Sequence, residues 1–131
     1  MNTKFLMIAS AIIMGIAGIC FTFLPEEIID YAGYTSTDLN SLFLQILGAL
    51  YIAFATLNWM AKANLIGGIY SKPVALGNFA HFFIAGISII KSAFANEAMI
   101  ALWIGAVIYS IFAIIFGIVA FGNPIKKDTL K

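Results

Sequence analysis

The chain has 131 residues, of which 63% are hydrophobic and only 10% are charged, and its formal net charge is +1. With a mean hydropathy of +1.03, it has too few polar side chains to cover the surface of a water-soluble protein, so lipid is the predicted solvent. The sequence contains no arginine and one cysteine, Cys20, which excludes a guanidinium-based nucleic-acid interface, an internal disulfide and a thiolate metal cluster.

The first half of the chain predicts two membrane-spanning helices, each of which needs about 20 mostly apolar residues. The first is predicted at about 5–24 and has the length of a retained helix rather than of a signal-peptide core. The second is predicted at 39–61, where Thr37 or Asp38 can provide the N-cap. Between them lies an outer loop, 25–38, whose first half could form one or two helical turns at the membrane surface.

The second half of the chain predicts two more spanning helices. The third covers about 73–95, with Pro73 in its first turn, and the fourth covers about 98–121. A cytoplasmic tail, 122–131, follows the fourth helix. None of these runs shows the short alternating segments of a membrane barrel. We therefore predict an all-α fold, an integral membrane four-helix bundle that forms a single transmembrane domain over residues 1–131.

The distribution of lysines predicts the orientation of the four helices. Positive residues in short loops remain on the cytoplasmic side, and in this arrangement only Lys91 falls on the other side. We expect both termini in the cytoplasm and a multi-pass protein of the inner membrane. Trp59 lies near the end of the second span, as an interfacial aromatic belt requires. The lysines on the cytoplasmic side are Lys4, Lys62, Lys72, Lys126, Lys127 and Lys131.

Small residues recur at helical spacing on the first and fourth spans. Helices in lipid associate through close approach at small side chains, because lipid tails are as apolar as leucine. Gly48 and Ala55 extend this pattern to the second span. Two interpretations remain open, namely packing within one chain and dimerisation through one of the stripes. The stripes consist of Ala11, Gly15, Gly18 and Thr22, and of Ala106, Ser110, Ala113 and Gly117.

Uncharged polar side chains inside the spans indicate a candidate site, since polar groups at membrane depth need partners. Tyr51 and Asn58 share a face of the second span, and Asn78 and His81 share a face of the third. A short connection makes these spans antiparallel neighbours, so the four residues, with Tyr109 of the fourth span, could form one polar cluster. Either the cluster sets helix register through hydrogen bonds, or His81 is the centre of a ligand pocket, since the unperturbed pKa of histidine lies near neutral pH.

These polar residues do not form a recognisable catalytic set. One histidine without an embedded carboxylate or thiolate cannot supply the three or four ligands of a metal site. The sequence also lacks a nucleophile elbow, a phosphate-binding loop and a pair of embedded carboxylates. A non-enzymatic role is therefore favoured, and no cofactor is expected.

Two stretches of sequence carry a family resemblance. Gly48–Tyr51 reads Gly-Ala-Leu-Tyr early in the second span, and a distinctive stretch runs from Asn58 to His81. With the chain length and the four spans, these residues resemble the small four-helix membrane proteins of the DoxX-like group and their uncharacterised relatives. The resemblance implies the same architecture and, for some members, association with quinone-linked sulfur oxidation. No functional residue carries over.

Two other four-helix families are disfavoured by missing residues. Small multidrug exporters need a carboxylate in the first helix, and fluoride channels carry an arginine-containing signature; this chain has neither. The leading hypothesis is a protein that binds a hydrophobic small molecule, such as a lipid or a quinone-like ligand, or a partner membrane protein. The alternatives are an oligomeric small-solute transporter or channel subunit, and an accessory subunit of a quinone-linked membrane oxidoreductase.

Overall fold

The computed structural model describes residues 3–64, 66, 68, 70–95 and 99–122, which contain five helices and no strand. The all-α class is therefore confirmed. Apart from the second, these helices are long and apolar enough to cross a membrane. Of the predicted tail, residues 123–131 lie outside the described residues. The helices are α1 (Thr3–Phe23), α2 (Pro25–Tyr31), α3 (Asp38–Ala61), α4 (Lys72–Ala95) and α5 (Ile100–Phe121).

The helix starts follow local backbone chemistry. The side chain of Thr37 accepts a hydrogen bond from the backbone N–H of Asn40 (3.3 Å), which makes it the N-cap of α3. Pro73 is the second residue of α4, where the N–H that proline lacks would have no partner within the helix. α5 begins at Ile100, two residues after its predicted start, and residues 96–98 lie outside the described residues.

The helical turns predicted for the outer loop are present as α2. This helix ends in a Schellman motif, in which the N–H of Tyr34 donates to the carbonyl of Ile29 (3.2 Å) and the N–H of Gly33 donates to that of Asp30 (2.9 Å). Gly33 has a φ of +80°, which glycine adopts without the steric clash that a Cβ would cause. α2 therefore ends at Tyr31. This helix contacts α3.

The chain divides into two compact units, Met1–Ala63 (unit 1) and Asn64–Lys131 (unit 2). Unit 1 pairs α1 with α3, and unit 2 pairs α4 with α5. In both pairs the helices run antiparallel, because early residues of one helix contact late residues of the other. Ser10 meets Asn58 in unit 1, and Phe79 meets Phe121 in unit 2.

Unit 1 is held together by close backbone approach at small residues. A Cβ on Gly48 would lie 2.8 Å from the backbone nitrogen of Thr22 and 2.9 Å from the carbonyl oxygen of Gly18. One turn along α1, a Cβ on Gly15 would lie 3.6 Å from the Cβ of Ala55, which is ordinary van der Waals contact. The two helices are therefore closest where both present glycine, as expected for association without a hydrophobic driving force.

Unit 2 has an aromatic core centred on Phe82 of α4, whose side chain is fully buried. Its ring centroid lies 4.8 Å from that of Phe112, 5.7 Å from Phe116 and 5.2 Å from Tyr109. Gly86 faces α5, and a Cβ there would lie 3.5 Å from the Cβ of Tyr109, at ordinary contact distance. Aromatic side chains of α5 thus pack against Phe82 and Gly86 of α4.

The outward faces of the long helices carry large apolar side chains. Phe5 is 73% exposed, Met60 is 74% exposed and Ile114 is 64% exposed. In contrast, the buried residues include the polar side chains of Ser10, Asn58 and Asn78. A surface this rich in large apolar side chains is unusual for a protein folded in water.

Candidate functional site

In unit 1, Asn58 of the predicted polar cluster lies between α1 and α3. Its side chain is fully buried, and Nδ2 donates a hydrogen bond to Oγ of Ser10 (3.0 Å). Oγ of Ser10, itself fully buried, donates to the carbonyl of Met7 (3.1 Å). A polar chain therefore joins α3 to the backbone of α1. Ser10 was not among the predicted site residues, because nothing in the sequence places it opposite Asn58 until the pairing register is known.

Tyr51 lies two turns before Asn58 on the same buried face of α3. Its ring packs edge-on against Phe21 of α1, with the ring centroids 5.3 Å apart. The face predicted from sequence spacing is thus the face that α3 buries. The buried residues of α3 are Gly48, Tyr51, Ala55, Asn58 and Ala61.

In unit 2, the structure brings His81 and Tyr109 together. Their ring centroids lie 5.8 Å apart, and the His81 ring also meets Phe82 at 5.2 Å. Asn78, one turn earlier on α4, is fully buried, and its Nδ2 donates to the carbonyl of Val74 within the same helix (2.9 Å). His81 therefore contacts two aromatic rings of this unit.

The small-residue stripe of α5 lies partly inside unit 2. Ala106 and Ala113 are buried, and Oγ of Ser110 donates to the carbonyl of Ala106 (2.7 Å). A Cβ on Gly117 would lie 3.2 Å from the ring of Phe79, so α4 and α5 approach closely there. The stripe of α1 behaves similarly in unit 1, where Ala11 and Gly18 are buried. These contacts are the ones that packing within one chain requires.

Metal binding has no assembled ligand set in the part of the chain that the structure describes. No three His, Cys, Asp or Glu side chains in those ranges lie close enough together to hold a metal ion. The hydrogen bond from Asn58 to Ser10 joins two helices, whereas the bond from Asn78 to the carbonyl of Val74 lies within one helix.

A groove of about 350 Å³ runs along unit 1 between α1 and α3, and we name it the α1–α3 groove. Its floor consists of small residues, and its walls are large apolar side chains. Thr56 is among the lining residues, and its hydroxyl donates to the carbonyl of Ile52 (2.9 Å). The lining residues are Ala11, Ile12, Gly15, Ile19, Ile52, Ala55, Thr56, Trp59 and Met60.

One end of the α1–α3 groove carries a positive charge. Lys62 caps the C-terminus of α3, and its Nζ lies 3.1 Å from the centroid of the Trp59 ring, which lines the groove. This geometry is a cation–π contact, in which the ring face attracts the ammonium group. Sequence spacing alone placed Trp59 and Lys62 near a membrane interface but did not show that they adjoin a groove.

A smaller groove of about 230 Å³ lies in unit 2 between α4 and α5. Phe83, Ile87 and Ile114 are among its lining residues. Tyr51, Asn58, Asn78, His81 and Tyr109 line neither groove. Comparison of the chain with protein-family models, with curated proteins and with solved structures gives no match.

Proposed function

We propose that this chain is a multi-pass inner-membrane protein that binds the alkyl chain of a lipid or another hydrophobic small molecule, without catalysing a reaction. Insertion is supported by four helices of sufficient length and hydropathy, and by their exposed apolar faces. Kinship with the DoxX-like group belongs to the same proposal, because it implies the same four-span architecture.

Both termini are proposed to lie in the cytoplasm, which the sorting of lysines supports. A reporter that functions only in the cytoplasm should therefore be active when fused after Lys131. The same reporter inserted after Gly33, in the outer loop, should be silent. The reverse pattern, or equal activity at both positions, would contradict this orientation.

The observation that carries the binding proposal is the α1–α3 groove. Its floor of Ala11, Gly15 and Ala55 is recessed because small side chains leave space between two closely packed helices. Its walls include Ile12 and Ile52, which are apolar and partly exposed. An alkyl chain lying in such a recess contacts protein on several sides, whereas one lying against a smooth helix face contacts it on one. The additional dispersion contacts favour binding even where the surrounding solvent is lipid.

Filling the groove should displace the bound chain. Thr56 is exposed and lines the groove, so Thr56→Trp would occupy the space without entering the α1–α3 interface. Leu57→Trp adds the same ring at the adjacent exposed position of the same helix, outside the lining, and serves as the matched control. With the full chain in nanodiscs, a phosphatidylcholine bearing a diazirine in one acyl chain should label peptides containing residues 12–19 and 52–60.

We expect Thr56→Trp to lower this labelling about fivefold, which corresponds to a loss of about 1 kcal/mol of binding free energy. Leu57→Trp should leave it close to the unsubstituted value. Labelling spread evenly over the outward faces of all helices, or an equal response to the two substitutions, would sink the proposal.

A further inference from the structure

We infer that the α1–α3 groove takes an acyl chain of an anionic glycerophospholipid, whose phosphate binds the ammonium group of Lys62. This inference rests on the proposed function and names the class of its ligand. Two observations support it, namely the position of the Lys62 charge at one end of the apolar α1–α3 groove and the distribution of the other charges in unit 1.

Lys62 lies beside the α1–α3 groove. Its Nζ lies over the ring of Trp59, and Trp59 is both a wall of the groove and 48% exposed. The cation–π contact holds the ammonium beside the groove mouth instead of leaving a flexible lysine free in solvent. Tryptophan suits the same place, because its ring is apolar while its N–H can bond to headgroup or water.

Lys62 also keeps its positive charge available to a ligand. Among the residues that the structure describes, Lys62 forms no salt bridge, so no carboxylate neutralises it there. An aromatic ring face attracts a cation but does not cancel its net charge. The ammonium therefore keeps its attraction for an anion, and lysine is a common ligand for phosphate.

The other described charges of unit 1 are sorted by sign between its two ends. Because α1 and α3 run antiparallel, Lys4 lies at the same end of the unit as Lys62. The described acidic residues of unit 1 lie at the opposite end, in α2, which follows α1, and at the α3 N-terminus. They are Glu26, Glu27, Asp30 and Asp38. An anionic headgroup is thus favoured at the Lys62 end and disfavoured at the other.

The dimensions of the groove agree with a chain that descends from this headgroup. Its lining extends from Met60 to Ile52 on α3 and from Ala11 to Ile19 on α1. Each of these spans rises roughly 12 Å along its helix, so the lining accommodates the part of an acyl chain nearest the headgroup. A zwitterionic headgroup adds a cation next to the phosphate, and this cation weakens the attraction to Lys62. Phosphatidylglycerol is therefore the preferred probe, and phosphatidylcholine is the comparison.

The test uses the full chain in two sets of phosphatidylcholine nanodiscs. One set contains a small fraction of diazirine-labelled phosphatidylglycerol, and the other contains the same fraction of diazirine-labelled phosphatidylcholine. We expect labelling of residues 52–60 to be about fivefold higher with phosphatidylglycerol, the effect of one lysine near an anionic headgroup. Lys62→Gln should abolish the preference, and Lys62→Arg should keep it. Lys72→Gln removes an exposed lysine of unit 2, outside the groove lining, and should leave the preference unchanged.

The outcomes separate the two proposals. Groove labelling that is equal for the two lipids and indifferent to Lys62→Gln would overturn the inference while leaving the proposed function intact. An equal response to Lys62→Gln and Lys72→Gln would also overturn it, since general surface charge would then explain the preference. Failure of the Thr56→Trp test would remove the proposed function itself, and this inference with it.

Discussion

Gly48→Ala should weaken the pairing of α1 with α3 by about 1–3 kcal/mol, the usual effect of adding a methyl group to a tightly packed interface. The new Cβ would lie 2.8 Å from the backbone nitrogen of Thr22 and 2.9 Å from the carbonyl oxygen of Gly18. It would also meet Oγ1 of Thr22, which donates to the Gly18 carbonyl. Two of the three clashing atoms belong to the backbone, so the helices themselves must separate.

Gly15→Ala is the matched control for Gly48→Ala. It adds the same methyl group to the same helix pair, but its Cβ would lie 3.6 Å from that of Ala55, at ordinary contact distance. Both variants can be unfolded by SDS in mixed micelles and followed by Trp59 fluorescence, with Trp103 replaced by Phe so that unit 1 alone reports. Equal unfolding midpoints for Gly15→Ala and Gly48→Ala would show that the glycine contact does not limit the approach of the helices.

Phe82→Ala should be the most destabilising single change in unit 2, at about 3–5 kcal/mol, because it empties the centre of an aromatic core. The ring is fully buried and packs against Tyr109, Phe112 and Phe116. Its removal leaves a cavity between α4 and α5. Surrounding lipid does not refill this space as freely as it covers an outward face.

Phe83→Ala provides the control for this substitution at the next position of α4. Phe83 is 48% exposed and stacks on Phe79 with ring centroids 5.3 Å apart, so its loss should cost only about 1 kcal/mol. Trp103 fluorescence, with Trp59 replaced by Phe, follows the unfolding of unit 2 in SDS. If the two variants unfold at the same SDS fraction, the core is not organised around Phe82.

The buried face of α3 illustrates what residue spacing can predict. Tyr51, Ala55 and Asn58 recur at three- and four-residue steps, and the structure buries all three. Helical geometry alone makes such residues share a face, so no knowledge of the partner helix is needed. Residue spacing could not predict the hydrogen-bond partner of Asn58. Ser10 lies 48 positions away and becomes its acceptor only because α1 and α3 pair antiparallel in one register.

The predicted polar cluster shows a second limit of sequence reasoning. Spacing identified His81 and Tyr109 as embedded polar residues, and the structure brings their rings to 5.8 Å. Neither residue lines the groove between α1 and α3. A groove is empty space between two surfaces. Its existence depends on which side chains face each other, and periodicity along a single helix does not contain that information.

Composition and the order of apolar and charged residues were sufficient to predict the helical class, the number of long apolar helices, an N-cap at Thr37 or Asp38 and the place of Pro73 in the first turn of a helix. These features depend on local backbone chemistry and on the length needed to cross a bilayer. Only the tertiary structure decided that Gly48 meets Gly18, that Asn58 meets Ser10 and that Lys62 lies over Trp59 beside a groove. These contacts depend on helix pairing and on side-chain packing in three dimensions, where many registers are compatible with the same apolar sequence.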